Sequence, residues 1–127
     1  LNDYGLKTLA KGEENYVEVY EGNGLQRDSS YHQGITWVWL LGLYYNSLKN
    51  IINAQKNKKE KEILEKILSD FRKNVEETFT KEINENGCIG GIAELYDSKK
   101  TYLPKGTINQ AWSVSEVLRI IVGKKES

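Results

Sequence analysis

Apolar residues recur every three or four positions in three stretches of this 127-residue chain, and that period constrains its fold more than any other feature. Over residues 36–54, Trp37, Leu40, Leu41, Tyr44, Tyr45, Leu48, Ile51 and Ile52 cover a wide face, which predicts a largely buried helix. Over residues 60–82, Ile63, Leu64, Ile67, Leu68, Phe71, Val75 and Phe79 make a narrower stripe. Charges such as Glu62, Lys66, Lys73 and Glu77 cover the rest of that helix as a solvated face. A third helix is expected over residues 109–122, capped by Asn109 and ended by Gly123. No strand pattern competes. The expected fold class is all-α: three main helices joined by long loops, in one domain over residues 1–127 with no internal boundary.

Those loops carry the glycines. Residues 1–34 read as irregular, punctuated by Gly5, Gly12, Gly22, Gly24 and Gly34, with a short helical turn expected around residues 4–10. Residues 84–108 read as loop, with breaks at Asn86-Gly87, Gly90-Gly91, Pro104 and Gly106. Segments this long without structure of their own are more often functional than connective. Three helices and two such segments balance poorly as an autonomous domain. The expectation is a piece of a larger helical array whose loops gather at one end to build a site. A start at Leu1 and the lack of methionine fit an excised piece or a recombinant one.

Charge and sulfur narrow the function classes. Lysine plus arginine equals aspartate plus glutamate, 18 each, so no charge-driven case exists for nucleic acid or an anionic membrane surface. No apolar run is long enough to span a bilayer, and no signal peptide opens the sequence; a cytoplasmic protein is expected. One cysteine, Cys88, excludes an intrachain disulfide and is expected to be a small buried or loop residue. One histidine, His32, excludes a multi-histidine metal site. Neither metal nor cofactor is implied.

Three segments suggest sugar chemistry. Residues 31–42 place Tyr31, His32, Gln33, Trp37 and Trp39 directly before or within an apolar helix, which a core helix does not need. Aromatic faces stack on the C–H surfaces of pyranose rings, while histidine and glutamine hydrogen-bond hydroxyls. Residues 109–119 repeat the flavour with Gln110 and Trp112, and between them Glu94 stands in a glycine-flanked loop.

These residues resemble the C-terminal part of the glucosidase domain of glycogen debranching enzymes, the amylo-α-1,6-glucosidase family. Residues 4–9 (YGLKTL) are similar to the family's YGLRSL, and residues 30–42 (SYHQGITWVWLLG) to AYHQGTVWPWLLG. Residues 91–97 (GIAELYD) are similar to GTIPEIFDG, and residues 110–119 (QAWSVSEVLR) to QAWSVAEVLR. The segments occur in family order and span nearly the whole chain. Val38 and Ala93 stand where the family has proline, and residues 101–106 are only loosely like its PRG stretch. These departures leave the fold and bear on substrate preference.

The resemblance implies the last helices of an (α/α)6 toroid. It implies inverting hydrolysis of the α-1,6-linked glucose at glycogen branch points. The substrate would be glycogen or a branched α-glucan oligosaccharide. Further partners would be the remaining helices of a longer enzyme, or self-association through the faces they leave open. By resemblance Glu94 is the general base, with Asp97 a weaker substitute, and the general acid lies upstream of the segment corresponding to Leu1. Asp28 is read as structural, and the isolated chain is expected to be inactive. Tyr31, His32, Gln33, Trp37, Gln110 and Trp112 are the expected substrate contacts, against the plainer alternatives of core packing for the tryptophans and a helix-start polar residue for Gln110. Trp39 is expected in the core, and Glu116 as the i+3 ion-pair partner of Arg119. Two other readings stand beside the hydrolase: a non-catalytic glucan-binding or assembly piece, and a related toroid enzyme acting on trehalose or other α-glucosides.

Overall fold

The computed structural model describes residues 1–87 and 89–123, so Cys88 and the expectation attached to it lie outside the described residues. In chain order the elements are β1 (Leu6–Lys7), α1 (Gly24–Ser30), β2 (Thr36–Trp37), α2 (Leu40–Ala54), α3 (Lys58–Glu85), β3 (Leu95–Tyr96), β4 (Pro104–Lys105) and α4 (Ala111–Val122). The three periodic helices are present as α2, α3 and α4. The all-α expectation is otherwise corrected: the described residues are mostly helical, with four helices and a small antiparallel sheet in the order β1-β2-β3-β4.

The sheet accounts for most of the differences. Thr36 and Trp37, read as the start of a helix, instead pair with Lys7 and Leu6 on one side and with Tyr96 and Leu95 on the other. The run Ile35, Thr36, Trp37, Val38 is β-branched or aromatic and suits a buried strand; α2 begins only at Leu40. Residues 4–10 hold β1 rather than a helical turn. Two-residue strands carry too little alternation to register as a pattern, and they exist only because distant segments pair.

Local chemistry sets the helix ends. Asn23 and Gln26 form a reciprocal capping box that nucleates α1, a helix inside the segment expected to be irregular. The side chain of Asn57 accepts from the amides of Lys59 and Glu60, at 3.0 and 3.3 Å, so α3 starts at Lys58. Asn109 is not the cap of α4; Gln110 occupies that place without a side-chain bond, while Gly123 stands at the other end as expected.

Two apolar clusters flank the sheet. The larger joins Val38, Leu41 and Tyr45 to Phe71, Val75 and Phe79 of α3, Val117 and Ile120 of α4, and Tyr96 of β3. The smaller holds Ile35, Trp37 and Leu95, with Tyr20, Tyr31 and Trp39 packed against it. The helix expected to be largely buried is so on one face only: Leu43 and Ile51 of α2 stay 53% and 51% exposed.

Gly5 lets β1 approach β2. A Cβ placed there would lie 2.2 Å from the backbone carbonyl oxygen of Trp37. Gly5→Ala is therefore expected to cost about 1–3 kcal/mol through overpacking, read by urea denaturation. Gly24→Ala, where an added Cβ meets nothing within 4 Å, is the control; equal stability of the two variants would contradict the close approach.

Candidate functional site

Glu94 immediately precedes β3 and is only 8% exposed. Its backbone is pinned on two sides: its amide donates to the Thr107 carbonyl at 2.9 Å, and its carbonyl accepts from Ser113 Oγ at 3.4 Å. One carboxylate oxygen accepts from the Tyr31 hydroxyl. The other accepts from the Thr107 amide at 2.9 Å. A buried carboxylate must find such donors or forfeit its solvation. Glu94 is thus a held group inside the fold, not a solvated loop carboxylate.

Room for that carboxylate comes from Gly106. Its φ of +70° is a left-handed conformation that glycine adopts freely, and a Cβ there would sit 2.5 Å from Glu94 Oε2.

Aromatic rings surround the Tyr31 end. Tyr31 packs edge-on against Trp37, with centroids 4.6 Å apart, and against His32 at 4.8 Å. The His32 ring stacks on Trp37 at 5.3 Å and 14°. Trp37 meets Trp112 edge-on at 6.0 Å, and Trp112 stacks on Trp39 at 5.8 Å. The expected site residues Tyr31, His32, Trp37 and Trp112 are therefore one contiguous cluster reaching Glu94 through Tyr31. Trp37 is its buried centre at 2% exposure, with Nε1 donating to the Tyr31 carbonyl at 3.1 Å. Trp112, 43% exposed, keeps ring surface free.

Gln33 and Gln110 enter the frame through their backbones. The Gln33 carbonyl accepts from the Val17 amide at 2.6 Å, and the Gln110 amide donates to the Ile92 carbonyl at 2.9 Å. Both side chains are half-buried. Asp97 is committed elsewhere: it accepts from the Tyr20 amide at 2.8 Å and faces Lys105 Nζ at 3.6 Å, anchoring the N-terminal arm. Asp28 is exposed. Glu116 pairs with Arg119 at i+3 as expected, and that guanidinium also reaches Asn46 and the Gly42 carbonyl.

Residues 1–119 match the sequence model described as amylo-alpha-1,6-glucosidase. The chain belongs to the amylo-alpha-1,6-glucosidase family. No curated protein and no solved structure matches it.

In this amylo-alpha-1,6-glucosidase domain the burial of the tyrosine hydroxyl has an electrostatic consequence. Desolvation first, and then the hydrogen bond and negative charge of Glu94, push the Tyr31 phenol well above the usual tyrosine range. Tyr31 therefore stays protonated, and a donor, throughout the neutral range.

Sequence reasoning missed three members of this region. Gly106 and Thr107 meet Glu94 only because β3 pairs with β4, a contact no local signal announces. Glu82, not singled out in the sequence, is 2% exposed and accepts from Tyr96 Oη at 2.9 Å and Tyr4 Oη at 3.5 Å. Its position was legible: Phe71, Val75, Phe79 and Glu82 are the buried residues of α3 and follow one helical stripe.

A 380 Å³ cavity between α2 and α3 is lined by Lys49, Asn53, Glu65, Ser69 and Arg72 among others and shares no lining residue with the Glu94 cluster. Among the described residues no group of three or more metal-ligating side chains converges, and no helix is long and apolar enough to cross a membrane.

Proposed function

We propose that this chain supplies the general-base half of an inverting α-1,6-glucosidase site, with Glu94 as the base and an α-glucan as substrate. The observation that carries the reading is a buried carboxylate, donor-bound on both oxygens, beside a patch of aromatic rings. Family membership supplies the reaction class. In that reaction Glu94 takes a proton from a water, whose oxygen bonds to the anomeric carbon from the face opposite the leaving group. The glycosidic bond breaks, and its oxygen takes a proton from a general acid. Inverting sites hold the two carboxyl groups about 6.5–9.5 Å apart to admit that water.

The reading asks the general acid of a carboxyl group outside these residues. The other buried carboxylates have structural partners: Asp97 with Lys105 and the Tyr20 amide, Glu82 with two tyrosines. Trp112 serves as the exposed stacking wall, backed by the buried Trp37. His32, Gln33 and Gln110 stand as contacts for sugar hydroxyls. A toroid built from this piece and further helices is the architecture the reading implies. Activity on glycogen branch points, as opposed to trehalose or another α-glucoside, is separated by a substrate panel.

The test compares this chain with the longest natural reading frame containing it, assayed for glucose release from a branched limit dextrin. Glucose is expected from the long form alone. In that form Glu94→Gln is expected to lower kcat by roughly 10²–10⁴-fold while glucan binding persists. An equal loss of binding, or retained turnover, would overturn the base assignment.

A second reading is favoured by the outer face of α4. Trp112, Leu118 and Val122 stay 43%, 57% and 53% exposed, which suits an assembly surface. Size-exclusion chromatography with light scattering is expected to show concentration-dependent association that Leu118→Glu weakens. A monomer at all concentrations would count against it.

A further inference from the structure

We propose that Tyr31 is a positioning residue for Glu94, and that with the Thr107 amide it clamps the carboxylate instead of contacting the sugar. This rests on the reading of Glu94 as base and deepens it. A glutamate has freely rotating side-chain bonds, and a base must present one oxygen to one water. Donors on both oxygens fix the carboxylate plane, and here they arrive from opposite directions along the chain, 63 residues upstream and 13 residues downstream.

The upstream donor is itself packed and tethered. The Tyr31 ring is wedged between Trp37 at 4.6 Å, His32 at 4.8 Å and Tyr20 at 5.7 Å. Its backbone carbonyl is held by the Trp37 indole at 3.1 Å. A phenol has one proton to donate, and Tyr31 spends it on Glu94, so it meets a sugar hydroxyl only as an acceptor. Gly106 closes the third side, since any side chain there would press on Oε2. With one donor on each oxygen, each retains a lone pair for a water.

Two arms test the clamp. In this chain, tyrosines carrying ¹³C at the ring ζ carbon are read by NMR at neutral pH, with Tyr31 assigned by its loss in Tyr31→Phe. Glu94→Gln replaces the charged acceptor of the Tyr31 hydroxyl with a neutral and weaker amide acceptor. The Tyr31 ζ-carbon resonance is therefore expected to move upfield in Glu94→Gln while that of Tyr45, in the helical core, holds; a Tyr31 resonance at the wild-type position would overturn the clamp.

In the longest natural reading frame, Tyr31→Phe is expected to lower kcat by about 10–100-fold with KM unchanged, the size of effect that a small misplacement produces. Gly106→Ala, acting on the other oxygen, is expected to give the same split. A raised KM at unchanged kcat would make Tyr31 a sugar contact and overturn the proposal. Absence of glucose release from the wild-type long form would count against the glucosidase reading, while the NMR arm would still decide the clamp.

Discussion

The ladder between β2 and β3 is the contact on which the site depends. Thr36 opposes Tyr96 and Trp37 opposes Leu95, with all four side chains buried. That pairing joins the aromatic motif that begins at Tyr31 to the loop that ends at Glu94. β1 and β4 then flank it: β1 arrives through the gap left by Gly5, and β4 carries Gly106 and Thr107 in behind the carboxylate. A sheet with two residues per strand has little stability of its own. It persists because Tyr96 packs into the helical core on one side while Trp37 and Leu95 fill a second cluster on the other.

Two buried carboxylates show how one solution serves different ends. Each has lost most of its water, and each is met by tyrosine hydroxyls, which donate without adding a positive charge. Glu82 is enclosed by Tyr4 and Tyr96 inside the main core, where it ties the end of α3 to β3 and the N-terminal arm. Glu94 is held by one tyrosine and one backbone amide, at the border of a ring cluster whose outer member remains exposed. Both carboxylates carry one donor on each oxygen, and they differ in surroundings: Glu82 is 2% exposed among core rings, whereas Glu94 borders a ring cluster that reaches the exposed Trp112. That difference is the physical ground for placing chemistry at Glu94 and architecture at Glu82.

The helices were legible because an amphipathic stripe is a local signal repeated over several turns. Leu41, Tyr45, Leu48 and Ile52 in α2 and Phe71, Val75 and Phe79 in α3 are buried as their spacing requires. The sheet was not, since pairs such as Leu6 with Trp37 have no alternation long enough to detect. The ordered motifs around Tyr31, Glu94 and Trp112 gave the family, and the fold gathers Tyr31, His32, Trp37 and Trp112 as neighbours. What the motifs left open was which atoms meet. Tyr31 reads as a sugar contact from its neighbours in sequence and as a carboxylate donor from its neighbours in space. The roles of Gly106 and Thr107 had no sequence signal, being created by tertiary pairing alone.

The central claim is that Glu94 activates water and does not itself attack the sugar. Stereochemistry separates the two most directly. Proton NMR of the first glucose released from a branched α-glucan, by the longest natural reading frame containing this chain, reads the anomer before mutarotation. The account predicts β-glucose, the inverted product. α-Glucose appearing first would mean retention, a nucleophilic carboxylate and a covalent intermediate, and would contradict it.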